Sequence, residues 1–489
     1  MARITAVIDI GSNSARMVIF CRTSRFGFHL LKEIKSKVRI PEGAYENGGN
    51  LQPFAMERAL NALSEFLSIA KSYKATKILC VATSAVRDAP NRSEFLSLVR
   101  KKLSLNIKVI DGEKEAYYGA VSALNMLKAE DAITVDIGGG STELALIKNG
   151  KIEGLVSLNI GTVRLKELFF DKSLPIEVAK EFIDKELSKI PKNFVSDTII
   201  GIGGTNRALA NAIMVTNEYP VDTLHGFEFC LKEGALFIDK IINTKPHKLK
   251  ALKIKPERFD VIREGALIIK SIIGLTKAKK MVASGVGVRE GVFLTDLLRN
   301  QNHKFPKNFY LSLRSLTDRF DINEKETKAI SSIAKKLFFA LKPLHMLDDS
   351  KLFFLENSAK LLNIGISLNF YSHRHHGYYL ILNNLDYGYT HIEKLIIASV
   401  CKYHGKKFTG LDEDEFRSML LPHEESVKWL STILSIAEAI CTDNTNHKIE
   451  ISYDKEIIYI KTDSRMYLAE ERIKGFLKGS GVGYRFESL

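Results

Sequence analysis

Cysteine is scarce in this 489-residue chain. Cys21, Cys80, Cys230, Cys401 and Cys441 are odd in number, far apart and never spaced CxxC. That excludes a disulfide framework and a zinc site of paired cysteines, and the expected compartment is a reducing cytoplasm. Long uncharged apolar runs are also lacking, so no membrane span and no membrane partner are expected. The opening residues reach Asp9 too early for a signal peptide and read directly as a strand. No GxxxxGK[ST] string occurs, which removes the P-loop. The turn Gly201-Ile202-Gly203-Gly204-Thr205-Asn206 lacks the third glycine of a dinucleotide fingerprint.

What is present is ordinary in bulk. Apolar residues make up 45% and charged residues 26%, enough to bury a large core and too apolar for a disordered chain. At roughly 150 residues per domain the length suggests about three domains. Charge is less even. The net charge is +14, with 45 basic and 33 acidic residues in 1–300 but 26 and 24 in 301–489. A field of that sign over the first part favours a polyanionic partner.

An internal repeat organises this basic part. Val7-Ile8-Asp9-Ile10-Gly11-Ser12-Asn13-Ser14 can be laid over Thr134-Val135-Asp136-Ile137-Gly138-Gly139-Gly140-Ser141, an offset of 127 residues. Each copy is an apolar run, a small-residue turn and a second apolar run, the pattern of a β-hairpin with an exposed turn. Between and after the copies, helical spacing (56–70, 91–102, 113–128, 176–190, and from Asn206) alternates with short apolar runs (77–82, 107–110, 132–135, 198–201). Strand–helix alternation predicts α/β domains with mixed or parallel sheets. The polar stretch 299–304, followed by Pro306, reads as a linker. Beyond it, amphipathic helices are predicted over 329–341, 351–362, 392–403 and 427–439, then a hairpin over 450–461.

The turns carry the chemistry. Glycine turns leave backbone N–H groups open to a phosphate, and Ser and Thr hydroxyls add donors. This makes Asp9, Gly11, Ser12, Asn13 and Ser14 one candidate phosphate loop, and Gly138, Gly139, Gly140, Ser141 and Thr142 a second. Gly203, Gly204 and Thr205 follow a strand and open a helix, a third phosphate-contacting turn. Asp136 ends one strand of its hairpin and Glu143 begins the other, so both carboxylates lie at one end. Two hard oxygen ligands beside a phosphate cradle suit Mg²⁺.

The paired DIGxxS hairpins with the later IGIGGT turn are similar to the actin/Hsp70/sugar-kinase superfamily. Five strings resemble, in order, the Ppx/GppA exopolyphosphatase and guanosine pentaphosphate phosphohydrolase family: Asp9–Ser14, Ala82–Arg87 (containing Thr83), Glu113–Ala116, Asp136–Glu143 and Ser284–Gly291. The resemblance implies two facing ribonuclease-H-like domains, 1–124 and 125–300, and a mainly helical HD-like domain, 301–489. It implies Glu115 as the catalytic carboxylate, Asp136 and Glu143 as metal acids, and Arg16, Arg87 and Arg289 as cleft cations. Spacing alone makes Glu115 a first-turn helix acid and no more. Tyr117 stands where the family often has arginine, and Lys114 replaces a frequent acid; altered helix contacts or substrate affinity are expected.

His373-Arg374-His375-His376 and Lys402-Tyr403-His404 resemble the HD-type domain of long family members. Leu361-Leu362-Asn363-Ile364-Gly365 stands where Leu-Leu-His-Asp-Ile-Gly would be, and no His-Asp dipeptide occurs anywhere. A degenerate domain without hydrolytic metals is expected, serving homodimer contacts and an anion groove. The expected activity is Mg²⁺-dependent removal of the terminal phosphate of inorganic polyphosphate, of guanosine pentaphosphate, or of both, with no specific nucleic-acid partner. A kinase or ATPase of the same superfamily, and a non-catalytic polyphosphate or alarmone sensor, stay open.

Overall fold

In the computed structural model, the first repeat folds as a hairpin of β1 (Arg3–Ile10) and β2 (Ala15–Arg22). The residues described are 3–44, 47–320, 322–411, 420, 424–442 and 447–489. β2 continues antiparallel into β3 (Phe28–Ser36), while β4 (Lys77–Ala82) and β5 (Lys108–Val109) add in parallel on the other side of β1. The order is β3-β2-β1-β4-β5. The second repeat supplies β6 (Ala132–Ile137) and β7 (Thr142–Lys148), extended by β8 (Lys151–Leu158). With β9 (Thr198–Ile202), β10 (Glu228–Cys230) and β11 (Lys280–Ala283) the second sheet runs β8-β7-β6-β9-β11-β10. The repeat therefore extends past the hairpin: in each sheet a three-strand antiparallel meander is followed by two parallel strands. This is the expected pair of α/β sheets, and β1 and β6 are central in both.

Central position explains their composition. Val7, Ile8 and Ile10 in β1, and Ile133 and Val135 in β6, are buried, as strands covered on both faces require. The helix Pro53–Ser72 covers the first sheet with Leu60, Leu63 and Phe66. Leu209, Ile213, Ile268 and Ile272, from helices Gly203–Thr216 and Ile262–Thr276, fill the core of the second.

The chain divides into two units, Met1–Leu311 and Ser312–Leu489. Within the first, helices Gly112–Met126 and Val288–Leu297 pack back to back. Gly291 permits this: a Cβ there would meet the Tyr118 carbonyl oxygen at 2.0 Å. Gly291→Ala is expected to cost about 1–3 kcal/mol through overpacking and to lower the melting temperature. An unchanged melting curve would contradict the contact.

The stretch read as a linker is fastened to this first unit. The Tyr117 hydroxyl lies 2.6 Å from His303 Nδ1, Asn125 Nδ2 donates to the His303 carbonyl at 2.9 Å, and Phe26 packs on Phe305 and Phe309. Lys114 sits over the Tyr117 ring, 4.3 Å from its centroid, so both departures from the family pattern make helix contacts.

The second unit holds the expected helices as Glu324–Ala340, Leu352–Leu361, His391–Tyr403 and Glu424–Ile440. The late hairpin is β12 (Ile449–Asp454) with β13 (Ile457–Thr462). A third strand, β14 (Gly483–Ser488), pairs parallel to β13 and was not foreseen.

Candidate active site

Both hairpin turns open on one cleft of about 160 Å³ in the first unit. They are built alike. Gly11 N–H donates to the Ser14 carbonyl at 3.2 Å, and Gly138 N–H to that of Ser141 at 2.9 Å. Among the described residues nothing accepts from the N–H groups of Ser12, Asn13, Gly139 or Gly140. The two turns meet closely: a Cβ on Gly139 would stand 3.0 Å from Ser12 Cβ, and the hydroxyls of Ser12 and Ser84 are 3.2 Å apart. The third turn joins them. Gly203, at φ +83°, opens its helix against Asp136, where a Cβ would meet Oδ1 at 2.2 Å. The left-handed conformation starts this helix three residues earlier than its apolar spacing suggested.

Register places the charged groups. Asp9, Arg16 and Lys35 are cross-strand neighbours on β1, β2 and β3. Asp136, Glu143 and Ser157 form the corresponding row on β6, β7 and β8. Glu115 comes from the first turn of helix Gly112–Met126, which Asp111 caps by accepting from Lys114 N–H at 2.7 Å. Arg289 comes from the first turn of Val288–Leu297 and donates to Glu33 Oε1 at 2.6 Å.

Most predicted residues line the cleft: Asp9, Gly11, Ser12, Asn13, Ser14, Arg16, Thr83, Glu115, Asp136, Gly138, Gly139, Ser141, Gly203, Gly204, Thr205 and Arg289. Four do not. The Thr142 hydroxyl is buried and donates to the Ile160 carbonyl at 2.6 Å. Gly140 packs against Ser84. Glu143 is buried behind the cleft, accepting from Ser157 Oγ at 3.0 Å. Arg87 donates through Nη1 to Glu115 Oε2 and to the Ile110 carbonyl, each at 3.3 Å, so it touches the carboxylate and not the cavity. The sequence reading missed Ser84, Thr162 and three lining cations, Lys35, Arg207 and Arg258. Arg207 had a signal, lying two residues past the Gly-Gly-Thr turn; Lys35 and Arg258 sit in lysine-rich stretches that look like solvated surface.

Burial dominates the acids. Asp9 is pushed up to about 6, burial outweighing the pull of Arg289, with Asp136 adding repulsion. Glu143 is pushed up to about 8 by burial, and Asp136 is raised by burial against the pull of Arg207, Arg16 and Arg289. Glu115 is raised by burial and then by the negative charge of Glu143. Among the described residues the buried Asp9 Oδ1 has no hydrogen-bond partner. Clustered acids holding an orphaned oxygen suit a divalent cation, which would supply the missing positive charge. Among the described residues no three His, Cys, Asp or Glu side chains are spaced to enclose a metal. The fit is therefore to Mg²⁺ held by one or two carboxylates and completed by waters and phosphate oxygens.

The cations are crowded in turn. Burial lowers Arg207 to about 10, with Arg16 and Arg289 repelling it. Arg16 and Lys35 are like charges directly opposite on adjacent strands; Arg16 lies 3.6 Å from Glu33, and the acid acting on Lys35 is Glu257. Such a cluster is stabilised by an anion.

A pH dependence follows from the raised acids. Above about pH 7, where the lowered His303, His345 and His404 are neutral in both states, and up to about 8, the folded chain holds more protons at these acids than the unfolded one. Stability is therefore expected to fall as pH rises through this window, and Mg²⁺ should raise the melting temperature more at pH 8 than at pH 5. Thermal melts across this range test it; a flat profile without metal would contradict the clustered acids.

Comparison with known proteins agrees with this construction. The Ppx/GppA phosphatase family model matches residues 18–300, and the model of Ppx/GppA phosphatase domain III matches 310–474. The guanosine-5'-triphosphate,3'-diphosphate pyrophosphatase of Vibrio vulnificus is 27% identical over 476 residues, covering 95% of this chain and 91% of that protein. The protein of the same name from Photobacterium profundum is 27% identical over 422 residues, covering 83% and 82%. The crystal structure of the Aquifex aeolicus Ppx/GppA family member superposes with a TM-score of 0.54 at 30% identity, covering 62% of this chain and 99% of that one. Among the described residues no helix is long and apolar enough to cross a membrane. With matched models over both of its units and paired small-residue turns meeting at one cleft, the chain belongs to the Ppx/GppA phosphatase family.

Proposed function

We propose that the chain is a Mg²⁺-dependent phosphoanhydride hydrolase that releases the terminal phosphate of inorganic polyphosphate or of guanosine pentaphosphate. One observation carries this reading: a single cleft gathers three half-buried acids, five cations and two N–H-lined turns. Hydrolysis of a phosphoanhydride needs little covalent help. It needs an aligned water, a site for the proton and preorganised positive charge.

In this reading Glu115 takes the proton as the water oxygen attacks the terminal phosphorus and the bridging P–O bond breaks. The bridging oxygen leaves as part of the shortened chain. Arg87 keeps Glu115 aimed and favours its ionised form. Arg16, Arg207 and Arg289 stabilise the equatorial oxygens, and the open N–H groups of Ser12, Asn13, Gly139 and Gly140 cradle the next phosphate. Asp136, with Asp9 beside it, would hold Mg²⁺, whose charge would draw electron density from phosphate oxygens; Glu143, buried behind the cleft, would add negative charge without reaching the metal.

The names of the relatives favour guanosine pentaphosphate, whereas the basic excess of residues 1–300 favours a long inorganic chain. The test is phosphate release from both substrates side by side, with and without Mg²⁺. Release that needs the metal is expected, and a preference above about tenfold, 1.4 kcal/mol, assigns the substrate. No release from either would overturn the proposal. A cytoplasmic homodimer belongs to the same reading, and sedimentation of the full chain tests its stoichiometry.

A further inference from the structure

The strands that deliver Asp9 and Arg16 to the cleft have another end. β1 runs from Arg3 to Asp9, about 20 Å at 3.3 Å per residue. At that far end, Arg3 on β1, Arg22 at the end of β2 and Lys77 at the start of β4 surround a second cavity of about 200 Å³. Arg25, from the turn after β2, and Arg299, beyond helix Val288–Leu297, complete the ring. Five cations from four stretches of the chain thus line one cavity with a single carboxylate, Asp296.

That carboxylate is already shared. Lys77 Nζ lies 2.5 Å from Asp296 Oδ1 and Arg299 Nη1 lies 3.7 Å from it. Among the described residues no carboxylate pairs with Arg3, Arg22 or Arg25. Arg22 is held in place by the chain itself, donating to the Ser24 and Arg25 carbonyls at 2.9 and 2.7 Å. A fixed guanidinium beside two that no described carboxylate pairs, Arg25 resting 4.9 Å from the Phe26 ring centroid, makes a preorganised oxyanion receptor in a concave site. Asp296 offsets only part of the mutual repulsion of five cations.

We propose that this cavity is a second anion site, separate from the cleft, that takes the phosphates of a phosphoanhydride, inorganic or nucleotide-borne. It shares an element with the cleft. Helix Val288–Leu297 presents Val288 and Arg289 to the cleft, and Phe293, Asp296 and Leu297 to this cavity.

The test is calorimetric titration of the full-length protein with methylenediphosphonate, a non-hydrolysable diphosphate. Two classes of site are expected. The double variant Arg25→Glu/Arg299→Glu should lose one class, by about tenfold or more per charge, and keep the other. Arg207→Met should weaken only the class retained there. Arg3→Gln/Arg25→Gln, which breaks no ion pair, should show the same loss if the reversed charges disturb folding. Guanosine diphosphate titrated in parallel separates the sources: tighter binding than the diphosphonate at this class marks a nucleotide site, equal binding an inorganic one. A single class in the wild type, or both classes intact in the charge-altered variants, overturns the proposal.

Discussion

Glu115→Gln is expected to reduce phosphate release by about 10²–10⁴-fold, the usual worth of a positioned base, while substrate affinity is kept or tightened. The carboxylate is mostly buried, and the negative charges of Glu143, Asp9 and Asp136 all oppose its own. A neutral amide fills the same space, relieves that repulsion and can still accept from Arg87. It cannot take a proton from water. The variant should therefore bind polyphosphate at least as well as the parent and melt no lower at pH 8. Single-turnover phosphate release alongside equilibrium binding separates the two effects. A chain that only senses a polyanion would be unchanged in both. Release at the parental rate from the variant would remove Glu115 from the chemistry and leave the cleft as a binding site.

The sequence carried this site unevenly, for physical reasons. The turns were legible because small residues between two apolar runs have few uses, and two copies 127 residues apart fixed the pairing of Asp136 with Glu143. The outer strands were harder. β3 reads Phe-His-Leu-Leu-Lys-Glu-Ile-Lys-Ser, an edge strand with no clean alternation. β8 had a clear marker that went unused, the Asn149-Gly150 turn with both residues at positive φ. Lys35 and Arg258 were out of reach because their roles depend on register and on a chain crossing, neither of which a local pattern encodes. Thr142 shows the converse. It belongs to the motif string, yet alternation along β7 turns its hydroxyl to the Ile160 carbonyl and away from the cleft.

Arg207→Met is expected to lower kcat/KM by about 10²–10³-fold, the cost of removing one preorganised charge from a site of this kind, with no loss of stability. The two halves of that expectation have one cause. Arg207 is half-buried near Arg16 and Arg289, and both repel it. Its attraction to Asp136 and its bond to the Gly285 carbonyl at 3.3 Å offset only part of that cost. Methionine keeps most of the volume and removes the charge, so the free protein should melt at the same temperature or higher. A residue kept for folding would show the opposite, a lower melting temperature with kcat/KM preserved. Lysine at 207 restores the charge without the planar fork, and is expected to recover affinity more than turnover. If methionine left kcat/KM intact, these self-repelling cations would not be held in the cleft for a phosphate.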